Sequence, residues 1–404
     1  MSENTEKNLL ESPKPFFSLG TLDKYIEGDR QVWLLVVLLS LISLLVVYSA
    51  TGTIAFKMQR DSLYYLSRHF FNIFLGLSAV WVAHKLDYRY YAKLSRLALL
   101  ISVPLLLFVW LFGSTVNEAS RWLEIPIFGK NLSFQPSDLA KLALIASIAS
   151  MLSKRQDNVD DFQETIVPIL VWTGLICMLI GLTNVSNAIL LFITALILMF
   201  IGRIPINQLL LFVLTGIVSI MLALAVGQRY ETALGRLDRF TGVNADHFQE
   251  EQACIAIANG GLIGKGPGNS SQRNFLPNSF SDFIYAIIIE EYGLLGALIT
   301  LGLYLMLLYR GMVIMANTSH PFGGILAAGL SISLVLQALL NMAVSVRLVP
   351  VTGLPLPMLS MGGTSIVFTG LALGIIISIS KSDKQAINND EAPQELENRE
   401  RSVV

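Results

Sequence analysis

The amino-acid sequence predicts an all-α polytopic membrane protein: ten transmembrane helices, with one large extracytoplasmic loop between the seventh and the eighth. Three observations carry this. Of the 404 residues, 53% are hydrophobic and only 14% are charged, against about 25% charged in a typical soluble domain. Ten apolar runs approach or exceed the roughly 20 residues a helix needs to cross a bilayer. Basic residues are shared unequally between alternate connecting segments.

In chain order the spans are expected at 31–50, 67–84, 94–113, 136–152, 165–182, 186–201, 207–227, 283–309, 323–346 and 356–380. Residues 1–30 mix Lys, Glu and Asp with Pro13 and Pro15 and show no short apolar core with a small-residue cleavage site. The first apolar run is therefore expected to act as the insertion signal. Pro136 suits the start of the fourth span, having no N–H to lose, and Ser137 and Asp138 favour its positive end. Thr183 and Asn184 break the run between the fifth and sixth spans. No internal repeat or inverted pair of broken helices is visible. The segment 381–404 is polar and acidic and reads as a disordered tail.

Ten spans place both termini on one side. With the N-terminus inside, the inner segments hold sixteen Lys and Arg and the outer segments eleven, five of them in the loop 228–282. Long loops weigh little in this comparison. Both termini are therefore expected in the cytoplasm. The organisation is a cytoplasmic segment 1–30, a membrane domain 31–380 containing the outer loop 228–282, and a cytoplasmic tail 381–404.

Several function classes fall away. The net charge is −1, and no basic stripe with interleaved aromatics offers a nucleic-acid surface. Cys177 and Cys254 lie far apart, so no disulfide is expected. His69, His84, His247 and His320 are scattered, and no metal-ligand cluster or Ser–His–Asp order is present.

What remains is carboxylate chemistry at a membrane edge. Asp282 is the last polar residue before a long apolar run, and Glu290 and Glu291 lie deeper in that run. Carboxylates at such depth are costly and usually have a task. For Asp282 two tasks stand side by side: capping a helix N-terminus, or acting as a general base on a hydroxyl. On one continuous helix Glu291 falls on the opposite side from Asp282. The two glutamates are therefore assigned a structural role inside the bundle, with Lys141 of the fourth span or Arg347 as partner.

The outer loop adds candidates for an anionic ligand. Arg236 and Arg239 share a face if helical. Residues 249–257, including Gln252, read as a short helix of mixed polarity. Gly260, Gly261, Gly264, Gly266 and Gly268 permit tight turns beside Lys265 and expose backbone N–H groups that suit a diphosphate. A flexible hairpin is the alternative. Arg121 and Trp122 lie in the outer connection before the fourth span, where Trp is also an ordinary interfacial anchor.

The stretches GSTVNEASRW, FQPSDLAKLAL, RLDRF, FQEEQACIAIANGGLIGKGPGNS, LPNSFSDFIYAIIIEEYGLLG, QALLNM and PVTGLPLPMLSMGGTS follow one another in an order that resembles the SEDS family of peptidoglycan glycosyltransferases, from about residue 30 to 380. The resemblance implies polymerisation of lipid II, the disaccharide-pentapeptide carried on undecaprenyl diphosphate, outside the cytoplasmic membrane. It puts the family's essential aspartate on Asp282, as general base on the acceptor hydroxyl. It makes Arg121, Trp122, Lys141, Arg236, Arg239, Gln252, Lys265 and Ser281 substrate-binding candidates. It implies a class B penicillin-binding protein and other division proteins as partners. No cofactor is fixed by it, and a divalent cation is left open. Asn278, Phe280 and Ser281 stand where the family usually has Glu, His and Thr, and Asn184 stands where it usually has an acid. The charged N-terminal segment and polar tail favour the division branch over the elongation branch. A lipid II flippase is the competing function.

Overall fold

The computed structural model describes residues 27–57, 62–116, 119–127, 130–156, 161–227, 230–241, 248–276 and 279–382. Most of the predicted N-terminal segment and nearly all of the tail, together with His247 and Asn278, lie outside the described residues.

Helices α1 (Arg30–Lys57), α2 (Ser62–Lys85) and α3 (Arg89–Phe112) lead into three strands, β1 (Ser114–Val116), β2 (Ala119–Ile127) and β3 (Lys130–Phe134). Then come α4 (Pro136–Lys154), a π-helical turn (Phe162–Ile166), α5 (Val167–Gly181), α6 (Val185–Ile201) and α7 (Ile206–Val226). The large loop contains α8 (Tyr230–Thr241), α9 (Phe248–Gly260) and a 3-10 turn (Gln272–Asn274). Helices α10 (Ile284–Asn317), α11 (Pro321–Ser345) and α12 (Ser365–Ser382) complete the chain. Each predicted span falls on one of these helices. Counting α5 together with its π-helical turn, eight of them among the described residues are long and apolar enough to cross a membrane. Helix α6 is shorter, at 17 residues, and α4 carries Asp138, Lys141 and Lys154.

Helix α11 lies at the centre, with 83% of its apolar window buried. Its sequence is rich in Gly, Ala and Ser, which lets helices approach closely where hydrophobic burial gives little drive. A Cβ at Gly329 would stand 2.8–2.9 Å from Ile145 of α4 and Leu198 of α6. Helices α3 and α7 bury only 28% of theirs and form the rim.

Three expectations are corrected. The bundle is all-α, as expected, but one connection is not an irregular loop. The connection before α4 is an antiparallel sheet in the order β1-β2-β3, with Leu123 opposite Phe134 and Ile125 opposite Leu132. Its alternating apolar residues carry a strand period that a search for spans passes over. The last helix starts at Ser365 rather than 356. Residues 351–364 instead form an irregular strap. Pro355 and Pro357 remove two backbone donors, and Gly353, Met358 and Gly363 sit at φ +65°, +63° and +51°.

The third correction concerns α10, which is broken at Gly293 (φ 67°, ψ −164°). In a straight helix Tyr285 and Ala297 would be about 18 Å apart along the axis. Yet the Tyr285 hydroxyl donates to the Ala297 carbonyl at 3.2 Å. The segment 284–292 therefore folds back against the start of the longer segment 294–317. It is buried over nearly its whole length, including Glu290 at 0% and Glu291 at 1% exposure.

Two polar rungs frame the bundle. At one end Asp29 caps α1 by accepting from the amides of Gln31 and Val32, and it takes an ion pair from Arg310 of α10. Beside it Lys381 pairs with Glu27 and, by that hydrogen bond, holds the Glu27 carboxyl below its usual range. At the other end the Ser49 hydroxyl of α1 donates to Glu291. From Asp29 to Ser49 α1 rises about 30 Å, which matches the thickness of a hydrocarbon core.

Candidate active site

Asp282 is not the N-cap residue of α10. The cap position is Phe283, at φ −115° and ψ 20° with no side-chain cap bond, and Asp282 precedes it in a tight turn. Asp282 is half-buried, and its Oδ1 accepts from the neighbouring Ser281 hydroxyl at 3.0 Å. Its backbone is held from two sides. Asn341 Nδ2 of α11 donates to the Asp282 carbonyl at 2.9 Å and to the Leu354 carbonyl of the strap at 2.8 Å. The Ser360 hydroxyl donates to the Ser281 carbonyl at 2.6 Å, and Met361 N to the Phe280 carbonyl at 3.0 Å. Ser360 Oγ also accepts from Leu356 N at 2.8 Å, which closes the strap on itself.

One helical turn from Asn341, Gln337 faces the same strap. Its Nε2 donates to the Pro355 carbonyl at 2.8 Å while its Oε1 accepts from Lys141 Nζ at 3.3 Å. Lys141 is paired with Asp138 at 2.9 Å on the preceding turn of α4. Asp138, Lys141 and Gln337 line a small open cleft between α4, α11 and α12, together with Ser365, Phe368 and Thr369. Arg236 of α8 reaches the strap as well, donating to the Thr352 carbonyl at 3.3 Å. The sheet docks on its far end, where the Thr364 hydroxyl donates to the Ser133 carbonyl at 2.9 Å. The strap is thus tied to Arg236 directly, to Lys141 through Gln337, and to the backbone of the Asp282 turn through Asn341 and Ser360.

The glycine turn does something other than cradle an anion. It fills the break in α10. Lys265 N and Gly266 N donate to the carbonyls of Glu290 and Glu291 at 3.0 and 2.9 Å. In return Leu294 N and Leu295 N donate to the carbonyls of Gly261 and Leu262 at 3.0 and 3.4 Å. The turn therefore satisfies groups that the end of one helical segment and the start of the next leave open.

Glu290 and Glu291 find their partners in this turn and not in Lys141 or Arg347, as the sequence suggested. Glu290 accepts from Lys265 Nζ at 2.8 Å, the hydroxyls of Ser270 and Ser271, and the amides of Ser271 and Gln272. Glu291 accepts from Ser49 and from Ser270 N, and Arg273 Nη1 reaches Ser49 Oγ at 3.2 Å. Arg347 is exposed beyond α11. Lys265, expected at a diphosphate, is committed to Glu290.

The remaining candidates are placed less tightly. Trp122 is half-buried on β2, opposite Ser114. Gln252 is half-buried on α9. The side chains of Arg121 and Arg239 lie outside the described residues. Asn184 caps α6, its Oδ1 accepting from Asn187 N at 3.3 Å, a task for which an amide serves as well as a carboxylate. Cys177 and Cys254 are free. Among the described residues no group of three or more His, Cys, Asp or Glu is placed to hold a metal ion. Asn341, Gln337 and Ser360 were not singled out in the sequence, and Asp138 only as a helix-start residue, although Gln337 and Asn341 recur four residues apart on one helix face.

Fold and site together define a multi-pass membrane protein with an acidic site at the loop-bearing end of its helix bundle. The family model FTSW_RODA_SPOVE, described as a cell cycle protein, matches residues 29–385. The chain is 33% identical over 375 residues to a probable peptidoglycan glycosyltransferase FtsW of Geobacter sulfurreducens, covering 91% of this chain and 100% of that one. To the corresponding Haemophilus influenzae protein it is 32% identical over 362 residues, covering 88% and 91%. The fold matches the rod shape determining protein RodA of Thermus thermophilus with a TM-score of 0.65 at 23% identity, covering 89% of this chain and 99% of that one. It matches a chain from a peptidoglycan synthase complex with a TM-score of 0.69 at 23% identity, covering the same shares. The chain belongs to the FtsW/RodA/SpoVE family.

Proposed function

We propose that this protein is a peptidoglycan glycosyltransferase that polymerises lipid II at the outer face of the cytoplasmic membrane during cell division, with Asp282 as general base. The observation that carries the assignment is the support around Asp282. Its carbonyl and that of Ser281 accept from Asn341 and Ser360, so the backbone that carries this half-buried carboxylate is held from two sides. A positioned base of this kind takes the proton of an attacking hydroxyl.

The reaction balances with no further reactant. The acceptor sugar 4-hydroxyl gives its proton to Asp282, and its oxygen forms the new bond to the donor's anomeric carbon. The anomeric C–O bond to undecaprenyl diphosphate breaks, and the diphosphate leaves with the electron pair. Arg236 and Lys141, on either side of the strap, are the side chains suited to that anion. Arg121, Trp122, Arg239, Gln252 and Ser281 are assigned to substrate contacts around them.

Ten crossings, cytoplasmic termini and an outer loop 228–282 complete the architecture, supported by the bias of basic residues. Residues 1–30 and 381–404 are then cytoplasmic flanks of a single membrane domain. A class B penicillin-binding protein and other division proteins are the partners, and the cell division septum of the inner membrane is the location. The FtsW names of relatives at 31–34% identity support division over elongation. The flippase reading rested on Lys141, Glu290 and Glu291 as charges inside the membrane. Two of those three are engaged in the α10 break, so the polymerase reading is favoured.

The test uses the purified protein with its penicillin-binding partner and fluorescent lipid II. Glycan strands resolved on a gel support the assignment. Lipid II crossing the bilayer of reconstituted vesicles without any strand formation would replace it with the flippase.

A further inference from the structure

Leu262 and Ile263 form the tip of the glycine turn, and they are 71% and 80% exposed. Two adjacent large apolar side chains so exposed at the end of a polar loop call for a covering partner. The turn's own bonds tell at what height they sit. Leu295 N donates to the Leu262 carbonyl, and Leu294 N to the Gly261 carbonyl. The tip is thus level with the first turn of the long apolar segment of α10, next to Leu294, Leu295 and Leu298, all themselves exposed. Glu291, whose carbonyl accepts from Gly266 N, is also bonded to Ser49 in the rung that closes the 30 Å interval on α1. Leu262 and Ile263 therefore stand at one boundary of the hydrocarbon layer, continuous with a wall that faces lipid.

We propose that this tip is a membrane anchor: Leu262 and Ile263 insert into the acyl region of the leaflet on the loop-bearing side, tying the large loop to the bilayer beside α10. Non-helical backbone is tolerated at such a place only if its polar groups are satisfied within the protein. Here they are. The carbonyls of Gly260, Gly261 and Leu262 accept, and the amides of Gly264, Lys265 and Gly266 donate, all within the protein. The nearby Lys265 ammonium is neutralised by Glu290. The tip thus presents hydrocarbon on a turn whose flanking backbone groups are bonded within the protein, and aliphatic chains are the occupant that matches it. A transmembrane helix of another protein is the competing occupant.

The experiment places a nitroxide spin label at position 263, and in a second variant at 262, by cysteine substitution in a Cys254→Ala background. The full chain is reconstituted in nanodiscs of phosphatidylethanolamine and phosphatidylglycerol. Accessibility to molecular oxygen, which concentrates in acyl chains, is compared with accessibility to a water-soluble nickel chelate. Labels at Leu295 and Pro267 give the lipid and water references. The proposal expects the oxygen-to-nickel ratio at 262 and 263 to shift to that of 295. A ratio like that of 267 would overturn it, and so would protection from both reagents, which would mean that protein covers the tip. Neither result bears on whether Asp282 is the base.

Discussion

Lys265 Nζ donates to Glu290 Oε1 at 2.8 Å, and this bond fastens the glycine turn to the short helical segment whose other end carries Asp282. Glu290 is fully buried, with five donors converging on its carboxylate, while the Lys265 side chain keeps 33% of its exposure. The pair makes the loop and the active-site segment one body.

Glu290→Ala should therefore loosen the whole outer end. It strands the hydroxyls and amides of residues 270–272 as well as the Lys265 ammonium. Removing one partner of a buried charged pair costs about 3–5 kcal/mol, and partial exposure of Lys265 brings the expected loss toward the low end. The apparent melting temperature in detergent should drop by several degrees, with Glu290→Gln in between. An unchanged melting temperature would mean that the turn is not held this way.

Gly293→Ala tests the break itself. A φ of 67° with ψ −164° belongs to a region that only glycine enters readily, at a strain of about 1–3 kcal/mol for other residues. A Cβ there would also stand 2.4 Å from the Leu262 carbonyl oxygen. The expected outcome is loss of monodisperse protein on size exclusion. Wild-type behaviour would argue that the fold-back is absent.

Asn341→Ala should separate activity from stability. It removes two bonds to carbonyls, worth about 1 kcal/mol each, so folding should survive. With Asp282 released, turnover should fall roughly 10- to 100-fold, as expected for a displaced catalytic group, while lipid II binding is kept. Single-turnover and binding measurements on the same preparation resolve the two.

For Lys141→Ala, the prediction is a double effect. Asp138 is 4% exposed and has one carboxylate oxygen with no hydrogen bond, so loss of its cation should destabilise the protein by a few kcal/mol. Removing both charges with Asp138→Leu and Lys141→Met should restore the melting temperature. If Lys141 also contacts the diphosphate, strand formation stays low in that double variant. Recovery of activity with stability would reduce the pair to a structural role.

Much of this was readable from residue order. The helices were legible because each apolar run satisfies the same length requirement, and Asp282 drew notice because it is the last polar residue before one of them. Helical geometry set Glu291 apart from Asp282, but the partners of the two glutamates did not follow from it. Lys265, Ser270 and Ser271 arrive from a turn about twenty residues upstream, and only the fold-back at Gly293 brings them in. The strap was hidden for a different reason. VTGLPLPML is apolar enough to extend a span, and its two prolines and one left-handed glycine argue for a break only once the neighbouring carbonyls are seen to be claimed by Asn341 and Gln337. The small sheet was lost among longer signals, since strands of three to nine residues barely register beside helices of twenty.

The most direct test of the central claim is the rate of lipid II polymerisation by Asp282→Asn in the purified complex with its penicillin-binding partner. Asparagine keeps the size and the backbone bonds to Asn341 and Ser360 but cannot take up the hydroxyl proton. Removal of a general base lowers the rate by roughly 100- to 10,000-fold, and that fall, with an unchanged melting temperature and retained lipid II binding, is the predicted result. Polymerisation at the wild-type rate would contradict the assignment of Asp282 as the base.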